Sequence, residues 1–178
     1  STAGECKGLL KTAIRDNDPV MFFEHKMLYT TKFNDVPEVE EDVCIPFGRA
    51  RIVAEGADIT VVTNSMMTIK AEKAVRQLQK EGISAELIDL RTIVPLDTET
   101  IIRSVKKTGK LLIVDEGHLS FGITGEIASR IMPDVFYDLD APIQRMGTAD
   151  VPLPFSPALE FPLIPDEKKI AAKIREMV

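Results

Sequence analysis

Apolar residues alternate between helical and strand-like spacing along most of the chain. Helices are indicated where apolar positions recur three and four residues apart, over about residues 68–81, 97–109, 122–132 and 166–178. Short apolar runs typical of buried strands lie beside them, at residues 85–90, 111–114 and 143–146. Strands that alternate with helices at this spacing form parallel sheets joined by right-handed crossovers. The pattern therefore predicts an α/β fold, a mostly parallel open sheet with helices on both faces.

One strand of this sheet is predicted to be antiparallel. Residues 51–54 and 59–63 both have strand-like composition, and the four residues between them include Gly56, which suits a tight turn. We expect these two segments to pair as a hairpin. The hairpin would supply the antiparallel strand that opens the sheet.

The first 42 residues do not continue the alternation. A helix is predicted from residue 1 to Pro19, followed by a strand at 20–23 that is apolar at every position and so buried on both faces. Residues 30–42 are polar and acidic and read as a linker. The sequence thus divides into 1–42, the end of a preceding domain with its linker, and 43–178, the α/β domain.

The strand at 20–23 has no partner strand within its own segment. A strand that is apolar on both faces either pairs with another strand or exposes about four large side chains to water. The sequence therefore indicates a fragment of a longer protein, whose first segment completes a sheet elsewhere.

Composition and charge exclude several classes of function. The 178 residues are 44% hydrophobic and 28% charged, as in ordinary globular proteins, and the net charge of -6 disfavours binding to nucleic acid. No apolar run approaches the roughly 20 residues that span a bilayer, and no leader pattern opens the chain. Cys6 and Cys44 lack metal-ligand spacing and indicate reduced thiols, typical of the cytoplasm or an organelle matrix.

No familiar catalytic motif is present, since a dinucleotide glycine loop, a phosphate-binding loop, a zinc cluster and a serine nucleophile elbow are all missing. The most suggestive group is Asp115-Glu116-Gly117-His118, at the carboxyl end of a predicted strand, where open α/β sheets bind ligands. A helix that starts near Ile123 could also offer free N–H groups to an anion. We favour a loop or interface role for Glu116 and His118 over catalysis.

Two further groups have alternative interpretations. His25 lies at a strand end, where a general base is conceivable, but a lone histidine is more often structural. The turn from Ala13 to Asp18 combines carbonyl oxygens of a helix end with the carboxylates of Asp16 and Asp18, which suits a hard cation. Ordinary helix termination by aspartate and asparagine explains the same residues.

Several ordered motifs together resemble one family, the beta subunits of the thiamin-diphosphate-dependent 2-oxo acid dehydrogenases. The resemblance extends over essentially the whole chain, and the carboxyl-terminal part resembles the C-terminal domain of transketolase. The motifs are Ala13-Ile14-Arg15-Asp16-Asn17-Asp18-Pro19-Val20, Phe23-Glu24-His25-Lys26, Asp89-Leu90-Arg91-Thr92, Pro95-Leu96-Asp97, Asp115-Glu116-Gly117 and Leu139-Asp140-Ala141-Pro142.

The resemblance implies a heterotetramer of two alpha and two beta subunits, which decarboxylates a 2-oxo acid on thiamin diphosphate and Mg and transfers the acyl group to a lipoyl arm. Pyruvate is the first expectation, with acetoin and branched-chain 2-oxo acids as alternatives. The family's catalytic glutamate and histidine belong to an amino-terminal, pyrimidine-binding domain of which residues 1–42 match only the end. We therefore expect neither activity nor cofactor binding from this chain alone, and a bacterial cytoplasmic or mitochondrial matrix location.

Two sites carry over from the family residue by residue. The turn matching Ala13, Ile14, Asp16 and Asp18 binds a potassium ion in the family, although many members have asparagine where this chain has Asp18. Asp140, helped by the C-terminal residues including Val178, is expected to pair with a basic residue of the subunit-binding domain of the dihydrolipoyl acyltransferase. No catalytic role is assigned to His118.

Two functions of other classes stay open from the sequence. The chain could act as a non-catalytic interaction module that docks subunits and the acyltransferase without touching substrate. It could also be an independent nucleotide-binding domain, although it lacks a glycine loop to cradle phosphate.

Overall fold

A computed structural model of the chain describes residues 1–30 and 43–178. Five strands form one sheet in the order β1-β3-β2-β4-β5. Their bounds are Arg51–Ala54 (β1), Ile59–Thr63 (β2), Ala85–Asp89 (β3), Leu111–His118 (β4) and Gln144–Thr148 (β5). Strands β2 to β5 are parallel and β1 runs antiparallel to β3. The predicted fold class, a mostly parallel sheet with one antiparallel strand, is confirmed.

Of the helices in the described residues, all but the short one at Pro157–Glu160 follow the predicted periodicity. The helices are Ala3–Arg15 (α1), Ser65–Gln79 (α2), Thr98–Thr108 (α3), Ile123–Val135 (α4), Pro157–Glu160 (α5) and Glu167–Met177 (α6), with short 3-10 turns at Lys26–Tyr29, Phe136–Asp138 and Phe161–Leu163. The predicted caps are confirmed, because Asp97 accepts the N–H of Thr100 at 3.1 Å and Asp166 accepts the N–H of Lys169 at 2.8 Å.

Two hydrophobic cores lie on opposite faces of the sheet, because successive side chains of a strand point to opposite sides. On one face, Leu112 and Val114 of β4 pack with apolar residues of α2 and α6. On the other face, Leu111 and Ile113 pack with apolar residues of α3 and α4. Both faces of the sheet are therefore covered by helices, as the continuously apolar strands predict.

The predicted hairpin is wrong, because β1 pairs with β3 and not with β2. The connection from β1 to β2 crosses the amino end of β3, where the Ser84 carbonyl accepts the N–H groups of Ala57 and Asp58 at 2.9 and 2.8 Å. A Cβ on Gly56 would lie 2.6 Å from the Ala85 carbonyl oxygen, so only glycine fits the crossing. β2 is buried at all five positions and takes an inner place, whereas half-buried β1 takes the edge.

The strand predicted at residues 20–23 is also wrong, since these residues are not assigned to a strand. Within the described residues no strand pairs with them, and Met21 and Phe23 are 80% and 85% exposed. A strand exists only where a neighbour satisfies its backbone groups, so local composition alone could not ensure it. The linker predicted around residues 31–42 lies outside the described residues.

Within residues 1–30 and 43–178, no helix combines the length and the apolarity that a membrane crossing requires.

Candidate functional site

Glu116 and His25 form a hydrogen-bonded contact at the carboxyl edge of the sheet. His25 Nε2 lies 2.6 Å from Glu116 Oε1, and the two side chains are 19% and 34% exposed. His25 Nδ1 accepts the N–H of Met27 at 3.2 Å, which assigns the proton of the neutral ring to Nε2, the atom that donates to Glu116. The contact fastens the segment after α1 to the end of β4.

His118 belongs to a different set of contacts. Its Nδ1 lies 2.9 Å from the carbonyl of Ala149, while Asp150 accepts hydrogen bonds from both the N–H and the hydroxyl of Ser120. These bonds from Ser120, together with the nearby His118, lower the pKa of Asp150. Asp150 and Ser120 therefore join two loops by hydrogen bonds. The imidazole of His118 contacts a backbone carbonyl and not a nucleophilic side chain. These contacts agree with the loop role favoured from the sequence.

The turn proposed to bind potassium follows the end of α1. Asp16 accepts the N–H of Asp18 at 2.9 Å, and its own N–H lies 3.4 Å from the carbonyl of Ala13. Both aspartates are exposed. The bonds are those of helix termination by aspartate, while the turn's donor set of carbonyl and carboxylate oxygens is the kind that hard cations prefer.

No cluster of three or more histidine, cysteine, aspartate or glutamate side chains able to hold a metal ion occurs in the described part of the chain.

Asp140 and Val178 each form a hydrogen bond with one turn, Gly109 and Lys110, at the amino edge of the sheet. Asp140 donates its N–H to the carbonyl of Gly109 at 2.8 Å, and its carboxylate lies against the same glycine. Lys110 Nζ donates to the carbonyl of Val178 at 3.3 Å. Asp140 and Val178 are 38 positions apart in the sequence, and the turn at Gly109 and Lys110 connects them. Both residues are exposed, which leaves them accessible to a partner.

The candidate residues therefore separate into three places. The Asp140 turn precedes β4 and the His25–Glu116 contact lies at its far end, so the two occupy opposite edges of the sheet. The Asp16 turn lies on the segment after α1, and within the described residues no hydrogen bond or ion pair joins it to either. The structure places Asp140 at the turn before β4, apart from the residues considered for catalysis.

Sequence reasoning missed a buried charged cluster that joins α1 to the sheet. Glu5, only 4% exposed, contacts Arg51 Nε at 2.8 Å and Arg91 Nε at 2.7 Å. Burial alone would raise the pKa of Glu5, but the amino group of Ser1 and the guanidinium groups of Arg91 and Arg51 lower it to about 2. The available signal was the position of Glu5, four residues before the buried Leu9 on the same helix face.

The sequence also matches known proteins. Residues 48–170 match the protein family described as transketolase, C-terminal domain. The pyruvate dehydrogenase E1 component subunit beta of Rickettsia felis is 47% identical over 176 residues, which are 99% of this chain and 53% of that subunit. The 2-oxoisovalerate dehydrogenase subunit beta of Bacillus subtilis is 43% identical over 178 residues, 99% of this chain and 54% of that subunit. The chain spans about half the length of these relatives, and the predicted resemblance is confirmed.

One solved structure supports the fold. It is titled "Split gene transketolase, inactive beta4 tetramer" and has a TM-score of 0.65 and 27% identity to this chain. The match covers 80% of this chain and 45% of the other.

Proposed function

The chain belongs to the transketolase C-terminal domain family, and we propose that it is the carboxyl-terminal part of the beta subunit of a thiamin-diphosphate-dependent 2-oxo acid dehydrogenase. Its role there is to assemble the alpha subunit and a second beta subunit and to dock the dihydrolipoyl acyltransferase. Two relatives with beta-subunit names, at 47% and 43% identity, support this assignment. The exposed apolar side chains of Met21 and Phe23 are consistent with burial against the rest of a longer subunit.

The observation that supports docking is that Asp140 is hydrogen-bonded to Gly109 while the next residue, Lys110, is hydrogen-bonded to Val178. Asp140 is exposed, and no ion pair to it is formed by the described residues. Its carboxylate can therefore accept paired N–H groups from an arginine of a partner. The hydrogen bond from Lys110 joins the last residue to the position that follows Gly109. A basic surface of the acyltransferase's subunit-binding domain fits such a site.

The test is a calorimetric titration of the chain with the isolated subunit-binding domain of a dihydrolipoyl acyltransferase. Asp140→Ala is expected to weaken binding at least about tenfold, because it removes the charged partner of an interface pair. Glu99→Ala is the matched control, since it removes the same charge from the opposite end of α3 and should leave the affinity unchanged. Binding that is equally strong in wild type and Asp140→Ala would contradict this docking role.

Docking and catalysis are assigned to different parts of the complete enzyme. In a complex of the full-length beta subunit with its alpha subunit, Asp140→Ala should reduce acyltransferase binding and leave decarboxylation of the 2-oxo acid intact. Loss of decarboxylation in this variant would contradict the division of labour. A purely non-catalytic interaction module, the alternative of another class, makes the same prediction for Asp140→Ala, because a module that docks without touching substrate leaves decarboxylation by the full-length complex intact.

The substrate is proposed to be pyruvate, with branched-chain 2-oxo acids and acetoin as alternatives. The two named relatives act on different 2-oxo acids according to their names, so identity to this chain does not choose between them. The ratio of kcat/KM values for pyruvate, 2-oxoisovalerate and acetoin, measured on the complex of the full-length subunits, distinguishes the three. A preference for either alternative would contradict the assignment of pyruvate.

Thiamin diphosphate and Mg are proposed as cofactors of the complete enzyme, where the bound thiamin diphosphate supplies the decarboxylation chemistry. In the family the catalytic residues belong to the amino-terminal domain, of which residues 1–42 match only the end, so this chain alone is not expected to hold the cofactor. Calorimetry of the chain with thiamin diphosphate and Mg should give no saturable heat. Tight binding would contradict this assignment.

A potassium ion is proposed at the turn formed by Ala13, Ile14, Asp16 and Asp18. Its oxygen donor set supports a hard cation, and Asp16→Asn reduces the charge without changing the turn hydrogen bond to the N–H of Asp18. Potassium chloride should raise the melting temperature of the wild-type chain more than choline chloride at equal ionic strength. The difference should shrink in Asp16→Asn, and equal melting temperatures in the two salts would contradict the site.

A further inference from the structure

The first turn of α4 begins at the carboxyl edge of the sheet, on the side of the edge strand β5. α4 has 13 residues, and its N-cap residue, Gly122, has no side chain to accept a backbone N–H. Gly125 donates its N–H to the carbonyl of Gly122 at 3.1 Å, whereas the N–H groups of Ile123 and Thr124 have no partner among the described residues. The helix therefore offers two free donors at the positive end of its dipole.

The hydroxyl of Thr124 is a buried polar group in the same turn. Thr124 is 2% exposed, and its Oγ1 forms no hydrogen bond. As the second residue of α4, Thr124 has no preceding helical turn whose carbonyl its hydroxyl could reach. It shares the buried face of α4 with Ile127 and Ile131, within the turn that carries the free donors. An unpaired hydroxyl costs stability in this position unless a bound group satisfies it.

Arg145 lies against this turn from β5. Its Nη1 is 3.1 Å from the position that a Cβ on Gly125 would occupy, and it donates to the carbonyl of Leu119 at 3.2 Å. No carboxylate of the described residues forms an ion pair with Arg145, and Asp150 is bonded to Ser120 instead. A guanidinium beside the positive end of a helix is electrostatically unfavourable unless an anion is bound near both.

The geometry points to an oxyanion site at the first turn of α4, formed by the N–H groups of Ile123 and Thr124, the hydroxyl of Thr124 and the guanidinium of Arg145. The ligand class is a phosphate group, free or as the monoester of a small molecule. Backbone donors at a helix N-terminus and the planar fork of an arginine both match phosphate oxygens. This site is at the opposite edge of the sheet from Asp140 and does not depend on the docking role.

The test is a titration of the 15N-labelled chain with inorganic phosphate at constant ionic strength, followed by the amide signals of Ile123 and Thr124. Both signals are expected to shift saturably. Arg145→Gln should weaken the affinity at least about tenfold, because it removes a charge-assisted donor, while Arg145→Lys should weaken it less. Arg130→Gln is the matched control, since Arg130 is exposed on the same helix and pairs with Glu126 at 2.6 Å. It should leave the affinity unchanged.

Thr124→Val tests the buried hydroxyl without changing the size of the side chain. It should lower the phosphate affinity about threefold or more, because one donor is lost. In the phosphate-free chain it should raise the melting temperature, which also establishes that the variant folds. Unchanged phosphate affinity in Thr124→Val would remove the hydroxyl from the site and overturn this assignment.

Other anions identify the ligand. Glycerol 3-phosphate and inorganic phosphate should both compete, and tighter binding of the ester would indicate a phosphorylated small molecule as the natural source. Acetate should bind far more weakly, and equal affinity for acetate would overturn the assignment to phosphate. Absence of saturable shifts at Ile123 and Thr124 up to about 20 mM phosphate, or unchanged affinity in Arg145→Gln, would overturn the site itself.

Discussion

Gly109 packs directly against the carboxylate of Asp140, so that a Cβ on the glycine would lie 2.8 Å from the Asp140 Cγ and closer still to an oxygen. Gly109 ends α3 in the left-handed region, with φ of 68°. The glycine is therefore required twice, for its backbone conformation and for its missing side chain. The pair links the end of one helix to the residue proposed to dock a partner.

Alanine at this position should be destabilising. Gly109→Ala combines the left-handed strain, about 1–2 kcal/mol, with an overlap against Asp140 that costs less than the about 1–3 kcal/mol of a clash in a packed core, because the exposed carboxylate can rotate away. Gly82→Ala is the matched control, because Gly82 has φ of 87° and no atom within 4 Å of its Cβ position. The free energy of unfolding in urea should fall more for Gly109→Ala than for Gly82→Ala. Equal losses would contradict the close approach of Asp140.

The crossing between β1 and β2 makes a similar prediction for Gly56. A Cβ there would overlap the backbone of Ala85 and Glu86, which cannot move aside as a flexible side chain can. Gly56→Ala should therefore lower the free energy of unfolding by at least about 2 kcal/mol. Urea unfolding compared with Gly82→Ala measures the effect, and a smaller loss at Gly56 than at Gly82 would show that the connection does not cross β3 here.

The contact between His25 and Glu116 is expected to hold the segment after α1 on the sheet. A double-mutant cycle with His25→Ala and Glu116→Ala should give a coupling energy below about 1 kcal/mol, because both side chains are partly exposed. His25→Ala should also increase deuterium uptake in residues 20–30. His118→Ala, which removes the other histidine, should leave that uptake unchanged. Zero coupling together with unchanged uptake would contradict the contact.

Glu5 makes the stability of the chain depend on acid pH. Its pKa is lowered from 4.5 to about 2 in the folded chain, so the unfolded chain takes up the proton first as pH falls. The stabilisation is complete above about pH 5 and is lost as pH falls through about 2, amounting to about 3 kcal/mol. Glu5→Gln should flatten the unfolding free energy between these pH values.

The control for Glu5 is Glu72→Gln, which removes a glutamate that is paired with Arg76 on the surface of α2. Its acid dependence should match that of the wild-type chain. Urea unfolding at a series of pH values from 7 to 2 supplies the comparison, and parallel curves for wild type and Glu5→Gln would contradict a lowered pKa for Glu5.

The helices and the inner strands of the sheet could be predicted from the sequence because their signals are local. The spacing of Ala71, Ala74, Val75 and Leu78 defines the buried face of α2 within two turns, and all four are buried. The caps at Asp97 and Asp166 depend on residues only three positions away. The family motifs are also contiguous, and they identified the resemblance that the relatives confirm.

The candidate site could be predicted only residue by residue. Asp140 was named from its motif, but its approach to Gly109 and the bond between Lys110 and Val178 join positions that no local pattern relates. Glu5, Thr124 and Arg145 were not singled out, because burial of a polar group becomes visible only when the surrounding elements are packed.

The sequence by itself determined the fold class, the identity of the family and the order of the elements from β1 to β5, followed by α6, because each of these is encoded in short stretches of neighbouring residues. Only the tertiary structure decided that β1 pairs with β3, where Arg51 stands opposite Asp89, and that residues 20–23 do not form a strand. Strand pairing depends on hydrogen bonds between residues far apart in the chain. Whether those bonds form is a property of the whole packed molecule.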